Sequence, residues 1–249
     1  MGRGTLMTKK FDDNARKKHL LRLSYPEFNY TNQKINTMIV EQITAKQARE
    51  YISTYHYTKT FPDSTIISYA GYYDDILAGV ICYGMGAGKS QYTSVLPSIK
   101  NGEYLELTRL WSHDNMPKNT ESKIIGRSLK LLPEQYKLIL SFADPSKGHA
   151  GSIYQATNWL YLGMSNGGKC LITKDGITKH IRLIGMYKKR HSELRNKTPQ
   201  EIMDMYGWVY GESSPKHRYV MLRGSKLEKK RILKFLQNRI QPYPKKEAT

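Results

Sequence analysis

Cysteine is nearly absent. Cys82 and Cys170 are the only two in 249 residues, and each sits inside an apolar run without CxxC spacing. That pattern excludes a disulfide framework and a cysteine-rich zinc site, and it reads as two reduced core residues of a cytosolic protein. No stretch approaches the ~20 consecutive apolar residues that span a bilayer. The opening MGRGTLMTKKFDDNARKKH carries charge but no apolar h-region, which excludes a secretory signal. The protein is therefore expected to remain in the cytoplasm where it is made. No internal repeat is present, so a solenoid is excluded.

Acidic residues are also scarce. Lys and Arg number 40 against 21 Asp and Glu, for a formal charge of +19. The excess lies at the ends: residues 1–35 hold eight basic and three acidic side chains, and residues 215–249 hold eleven and two. A near-neutral middle with basic ends suits a polyanion, because Lys and Arg that neutralise phosphates release counterions. An anionic membrane is disfavoured, since the basic C-terminal helix lacks a broad aromatic face. With 39% hydrophobic and 24% charged residues the composition is globular, and the chain is long enough to bury a core without staples.

Periodicity and end signals predict the following elements. Residues 1–35 read as a basic arm. A strand is expected at Asn36–Ile43, then a helix opened by a Thr44/Gln47 capping box and ending near Tyr55-His56-Tyr57. Ile66–Tyr73 and Ile76–Tyr83 form a hairpin about Asp74-Asp75. A Gly/Ser-rich loop precedes a strand at Tyr104–Ser112. Thr120 caps a helix with the stripe Ile125, Leu129 and Leu132. Leu138–Ala143 is a central strand, followed by a loop from Asp144 to His149 and a helix over about Gly151–Tyr161. A strand–turn–strand is expected around Asp175-Gly176, a helix at Thr198-Pro199 with Glu201 completing a capping box, a strand at His217–Leu222 and a basic helix at Leu227–Asn238. This order makes a mixed α/β sheet, whose ligands belong beyond the carboxyl ends of strands, at Trp111–Thr120 and Asp144–Gly151.

Gly84-Met85-Gly86-Ala87-Gly88-Lys89-Ser90 imitates a phosphate-binding P-loop but fails its spacing. Tyr83 stands where the first glycine belongs. No helix is expected after Ser90 to hold phosphate.

Four constellations can carry chemistry. The helix start from Asn119 to Ser128, with Ser122, Lys123, Gly126 and Arg127, offers free amides and cations to an anion. The alternative is an ordinary capped basic helix. Asp144 ends an apolar strand, where desolvation raises a carboxyl pKa toward that of a general base. On the following helix Tyr154, Asn158 and Tyr161 share one face, opposite a core stripe of Ile153, Ala156 and Leu160. Asp144 and His149 alternatively only shape a loop. His56, at a helix end, is a capping residue, a base, a base-stacker or a metal ligand. Together with Asp144 and His149 it makes a conceivable two-His, one-carboxylate iron site. Arg109, between apolar neighbours, either clamps an anion or snorkels at an edge.

In order, YHY (55–57), LELTRL (105–110), NTESKIIG (119–126), SFADPSKGHAGSIYQATNWLYLG (141–163), HRYVML (217–222) and PYPK (242–245) resemble the Mom family of bacteriophage DNA-modification proteins. The resemblance implies a GNAT-like fold. The mixed central sheet would be flanked by helices, with a core at 36–165, the basic arm at 1–35 and a C-terminal extension at 166–249 packed on the core. It further implies transfer of a carbamoylmethyl (acetamido) unit to the exocyclic amine of adenine in DNA, which protects phage DNA from restriction in the bacterial host cytoplasm. Site residues implied are His56, Tyr57, Arg109, Asp144 and Tyr154, with Asn119, Ser122 and Gly126 near the donor; the constellations above add His149 to the first group and Lys123, Arg127 and Ser128 to the second.

Lys123-x-x-Gly126-x-Ser128 resembles the loop that cradles a coenzyme A pyrophosphate, with Lys in place of Arg or Gln and Ser in place of the final small residue. Trp159 stands where a tyrosine is usual. Candidate donors are an acyl-CoA or an activated glycyl group, including an aminoacyl-tRNA; iron enters only if a C–H bond is activated. Rival readings are an N-acyltransferase acting on a protein or small amine, and a non-enzymatic nucleic-acid-binding protein.

Overall fold

A computed structural model describes residues 37–86 and 88–245. The basic arm expected at 1–35 and Lys246 of the tail lie outside the described residues. The described chain divides into two compact units. One holds the residues through Leu140 together with Leu222–Ile232, and the other runs from Ser141 to Met221 and resumes at Leu233.

In the first unit, β1 (Ile39–Ile43), β2 (Thr65–Tyr73), β3 (Ile76–Gly84) and β4 (Tyr104–Ser112) form an antiparallel sheet in chain order. β4 then pairs in parallel with the start of β5 (Leu138–Ala143), at Tyr104–Glu106 against Leu138–Leu140. A parallel pair needs a long crossover. Here it contains α3 (Thr120–Leu131). α1 (Ala45–Tyr55) covers the opposite face of the sheet. Its Ala48, Tyr51 and Ile52 pack with Ala70, Tyr72, Val80 and Cys82. The Thr44/Gln47 capping box forms as expected. On the α3 face the cross-strand glycines Gly71 and Gly79 lie under Ile124. A Cβ at either would come within 2.8 or 2.9 Å of that side chain, so α3 seats close to the sheet only because both positions lack one.

One expectation fails here. Lys89–Val95 is a helix, α2, rather than a continuation of the glycine loop. Tyr92 and Val95 are buried one turn apart, and Tyr92 stacks on Tyr104 at 3.9 Å, so tertiary packing builds a helix that the local pattern does not announce.

In the second unit, β6 (Leu160–Met164) pairs antiparallel with β10 (His217–Leu222). A separate three-stranded sheet has the order β8 (Thr178–His180), β7 (Lys169–Ile172), β9 (Val209–Glu212). α5 (Arg182–Arg190) and α6 (Pro199–Tyr206) pack with it through Leu171, Ile184, Ile202, Met203 and Trp208. The Thr198/Glu201 capping box forms, while α5 and β9 were not expected.

The helix expected over Gly151–Tyr161 shrinks to α4 (Ser152–Gln155), and Tyr161 lies on β6. Asn158 explains the stop. It adopts φ +59°, with its N–H bonded to Gln155 O at 3.1 Å and that of Trp159 to Tyr154 O at 3.0 Å. This is a Schellman ending, which favours Gly or Asn at the left-handed position. Tyr154, Asn158 and Tyr161 therefore do not share a helix face. Tyr154 is buried and Ala156 exposed, the reverse of the expected stripes. Both free cysteines are buried, as expected. α7 (Lys226–Leu236) is the expected basic helix. Among the described residues no helix is long and apolar enough to cross a membrane.

Candidate functional site

In the first unit, His56, Tyr57 and Arg109 come together at the carboxyl end of α1. A β-bulge makes the meeting possible. Tyr83 pairs with Leu107 but Cys82 with Arg109, so Thr108 is an extra residue on β4. An inserted residue changes which face the following side chains take. Arg109 and Trp111 consequently share the α1 side with their partners Cys82 and Val80. The Arg109 guanidinium then binds the loop that leaves α1: Nε donates to Thr60 O at 3.1 Å, Nη2 to Thr60 Oγ1 at 3.2 Å and Nη1 to Thr108 O at 2.6 Å. Burial lowers its pKa, against the opposing pull of Tyr57, Cys82 and Glu106.

His56 is the C-cap of α1, with its N–H on Ile52 O at 3.1 Å, and its side chain is only 5% exposed. The Thr58 N–H donates to Nδ1 at 3.2 Å, and Thr58 Oγ1 lies 2.9 Å from the same atom. An accepting Nδ1 places the neutral ring's proton on Nε2. Tyr57 stacks on the imidazole at 4.3 Å and is itself exposed. Cys82, beneath Arg109, is buried, and burial pushes its thiol pKa up to about 11, against Ser68 and Arg109.

The residues expected near the donor lie on α3, and they diverge. Lys123 Nζ donates to Tyr73 Oη at 3.2 Å, and Arg127 turns to the Met38 carbonyl. Ser128 is buried against Tyr83 Oη at 2.7 Å. Gly126 and Ser128 sit inside the helix, where their amides belong to its ladder. Asn119, at φ +66°, is the N-cap but makes no side-chain cap, and Ser122 Oγ donates to Asn119 O at 3.0 Å. Glu121 already places a carboxylate in the first turn, bound by Ser112 Oγ at 2.7 Å. Lys123, Gly126 and Ser128 thus lie within α3, and its free first-turn amides are those next to Asn119.

In the second unit, Asp144 caps a 3-10 turn over Pro145–Lys147. It accepts from Ser146 N at 3.0 Å and Ser146 Oγ at 2.6 Å, and Lys216 Nζ lies 3.6 Å from its other oxygen. Burial alone pushes the Asp144 carboxyl up, but Ser146 and Lys216 outweigh it and hold the pKa below the usual value. The raised pKa expected of a general base is therefore not found, because the turn after β5 and Lys216 supply donors that outweigh desolvation. Gly148 closes the turn at φ +71°.

His149 is exposed, with its N–H on Asp144 O at 3.2 Å. Gly151, at φ +75°, lies against Tyr219, where a Cβ would meet the ring at 2.4 Å. Buried Tyr154 accepts from Ser141 Oγ at 2.8 Å and packs against Tyr219 at 5.0 Å and Trp159 at 5.2 Å. Tyr219 Oη donates to Ala150 O at 2.5 Å and receives Gln155 Nε2 at 3.2 Å.

Among the described residues, no group of three or more His, Cys, Asp or Glu side chains is arranged to hold a metal ion, so His56, Asp144 and His149 are not assembled as an iron site. Sequence reasoning missed Thr60, Ser141, Lys216 and Tyr219. Only the last two carried a signal, as part of a basic, strand-forming run.

A mixed sheet flanked by helices, with a parallel crossover after β4 and polar side chains at strand and helix ends, defines a mixed α/β protein. The chain belongs to the Mom protein family, whose family model matches residues 37–245. It is 28% identical over 212 residues to the methylcarbamoylase mom of Escherichia phage Mu, with 83% of each chain covered. Among solved structures it is similar to the aminoglycoside acetyltransferase AAC(6')-Ib solved with acetyl-CoA, at 10% identity and TM-score 0.44, covering 76% of this chain and 94% of that one. It is also similar to a GNAT-family acetyltransferase from Streptococcus pneumoniae, at 7% identity and TM-score 0.39, covering 76% and 100%.

Proposed function

We propose that this chain is a transferase that adds a carbamoylmethyl (acetamido-type) group to the exocyclic amine of adenine in DNA and thereby shields phage DNA from host restriction. Membership of the Mom family across nearly all described residues carries this reading, together with a relative named methylcarbamoylase. The +19 charge supports a DNA partner, because the electrostatic part of such binding scales with phosphates neutralised. Chemistry on a base in duplex DNA requires that base to be flipped out of the stack.

Each cluster has a proposed role. Asp144, kept ionised by Ser146 and Lys216, accepts a hydrogen bond from the adenine amine and orients it. Its lowered pKa suits an orienting carboxylate better than a base. Tyr154, fixed by Ser141, shapes the surroundings of that loop, and His149 stands at its exposed edge. At the end of α1, His56 anchors the turn through Thr58, Tyr57 presents a ring and a phenol, and Arg109 keeps the supporting loop in place.

The donor is an activated acyl compound. An acyl-CoA and an activated glycyl group are both compounds of this class. With an activated glycyl donor, the adenine amine attacks the carbonyl, the carrier leaves with the electron pair of the broken bond, and the amine's proton is released. The free glycyl amine then attacks ring C6, the bond from C6 to the original nitrogen breaks, and that nitrogen becomes the terminal carboxamide. This gives the acetamido product without oxidant or reductant. An aminoacyl-tRNA is one such donor, and it would also match the basic surface.

Plasmid DNA from expressing bacteria tests the reading. Restriction enzymes with adenine in their sites should cut it poorly, and those whose sites contain only G and C should cut it normally. Equal cutting by both classes, with the protein present in soluble form, contradicts it.

A further inference from the structure

Two ring stacks stand at the carboxyl end of α1. Tyr55 lies on Trp111 with centroids 4.9 Å apart and planes 19° from parallel, and Tyr57 lies on His56. In each pair the inner ring belongs to the protein. Trp111 packs against the α1-facing core and His56 is buried, whereas Tyr55 is 44% and Tyr57 64% exposed. His113 meets Trp111 edge-on at 6.4 Å. Arg109 lies on the same face of β4 as Trp111, where the bulge turns it, and its guanidinium binds Thr60. A lipid would ask for continuous aliphatic surface, and an apolar peptide for a groove free of charge. Flat, near-parallel rings beside an arginine and the threonine it binds match the π-face and hydrogen-bonding edge of a nucleobase.

We propose that the Tyr55–Trp111 stack is a platform for a DNA base taken out of its helix, with Tyr55 the contacting ring and Trp111 its support. This rests on the reading of DNA as substrate and adds the residues that receive a base. Stacking is tolerant of sequence, because every base presents a π-face. The platform therefore contributes to capture of an extruded base rather than to choice among sequences.

Trp111 supplies its own reporter. The chain has three tryptophans, and Trp159 and Trp208 are 0% and 7% exposed, so Trp111, beneath the contacting ring, is the one whose emission a base stacked on Tyr55 alters. The full-length protein is titrated with a duplex containing one unpaired adenine and with the same duplex carrying an abasic site instead. Anisotropy and tryptophan emission are followed together. The adenine duplex should bind about tenfold more tightly and quench the emission. Tyr55→Ala should abolish that preference while retaining general DNA binding, Tyr55→Phe should keep it, and Trp111→Phe should remove the emission change.

Equal binding of both duplexes with unchanged emission overturns the platform and leaves DNA as substrate standing, as does a Tyr55→Ala protein with the wild-type preference. Binding to neither duplex overturns both readings. Quenching by coenzyme A alone, and not by DNA, assigns the stack to an adenine of the donor and overturns the proposal.

Discussion

The guanidinium of Arg109 holds Thr60 twice, at the backbone carbonyl and at the side-chain hydroxyl. The two residues are 49 positions apart, and the loop between His56 and Thr60 hangs from this contact. Arg109 is thereby a fastening for the segment that carries Tyr57, and the bulge at Thr108 is what aims it there.

Arg109→Lys should expose that role. A lysine keeps the charge but cannot reproduce the fork, and hydrogen bonds to charged groups contribute about 1.5–3 kcal/mol each. We expect the modified fraction of adenine in cellular DNA to fall at least about tenfold, with thermal unfolding shifted by only a few degrees. Thr60→Ala, which keeps the carbonyl acceptor, should lose less. Full activity in Arg109→Lys would show that the fork is dispensable.

The Asp144 titration has a definite sign. Its folded pKa lies below its unfolded value, so its contribution to stability is complete above the ordinary carboxylate pKa and disappears as pH falls through the depressed one. It does not vary near neutrality. A carboxyl-detected NMR titration should place the midpoint below that of a free aspartate, and Ser146→Ala or Lys216→Met should raise it. A midpoint above the free value would restore Asp144 as a base.

Asn158 tests the ending of α4. Asn158→Gly should leave stability within about 0.5 kcal/mol, since glycine accepts φ +59° freely. Asn158→Val should cost about 1–2 kcal/mol in denaturant unfolding, because a β-branched residue resists the left-handed region. If valine proves harmless, the Schellman ending does not set the chain's path from Tyr154 to β6.

Much of the fold was legible where its cause is local. The Thr44/Gln47 and Thr198/Glu201 boxes, the Asp74-Asp75 turn and the strands at Tyr104–Ser112, Leu138–Ala143 and His217–Leu222 follow from residue types within a few positions of one another. α2 was missed because its reason is Tyr92 against Tyr104, a tertiary contact. The α4 helix was overextended because periodicity outweighed one asparagine. Asp144 follows β5 as expected, but its pKa is lowered rather than raised, and of the residues that set it, Ser146 and Lys216, one is 72 positions away. Thr60 and Ser141 gave no sequence signal, since a hydroxyl becomes informative only when its partner is known.

Nucleoside mass spectrometry of DNA from expressing cells tests the proposed activity most directly. A deoxyadenosine species heavier by one acetamido unit should accompany the wild-type protein and be sharply reduced with Asp144→Ala. Unmodified deoxyadenosine alongside abundant soluble protein would contradict the assignment.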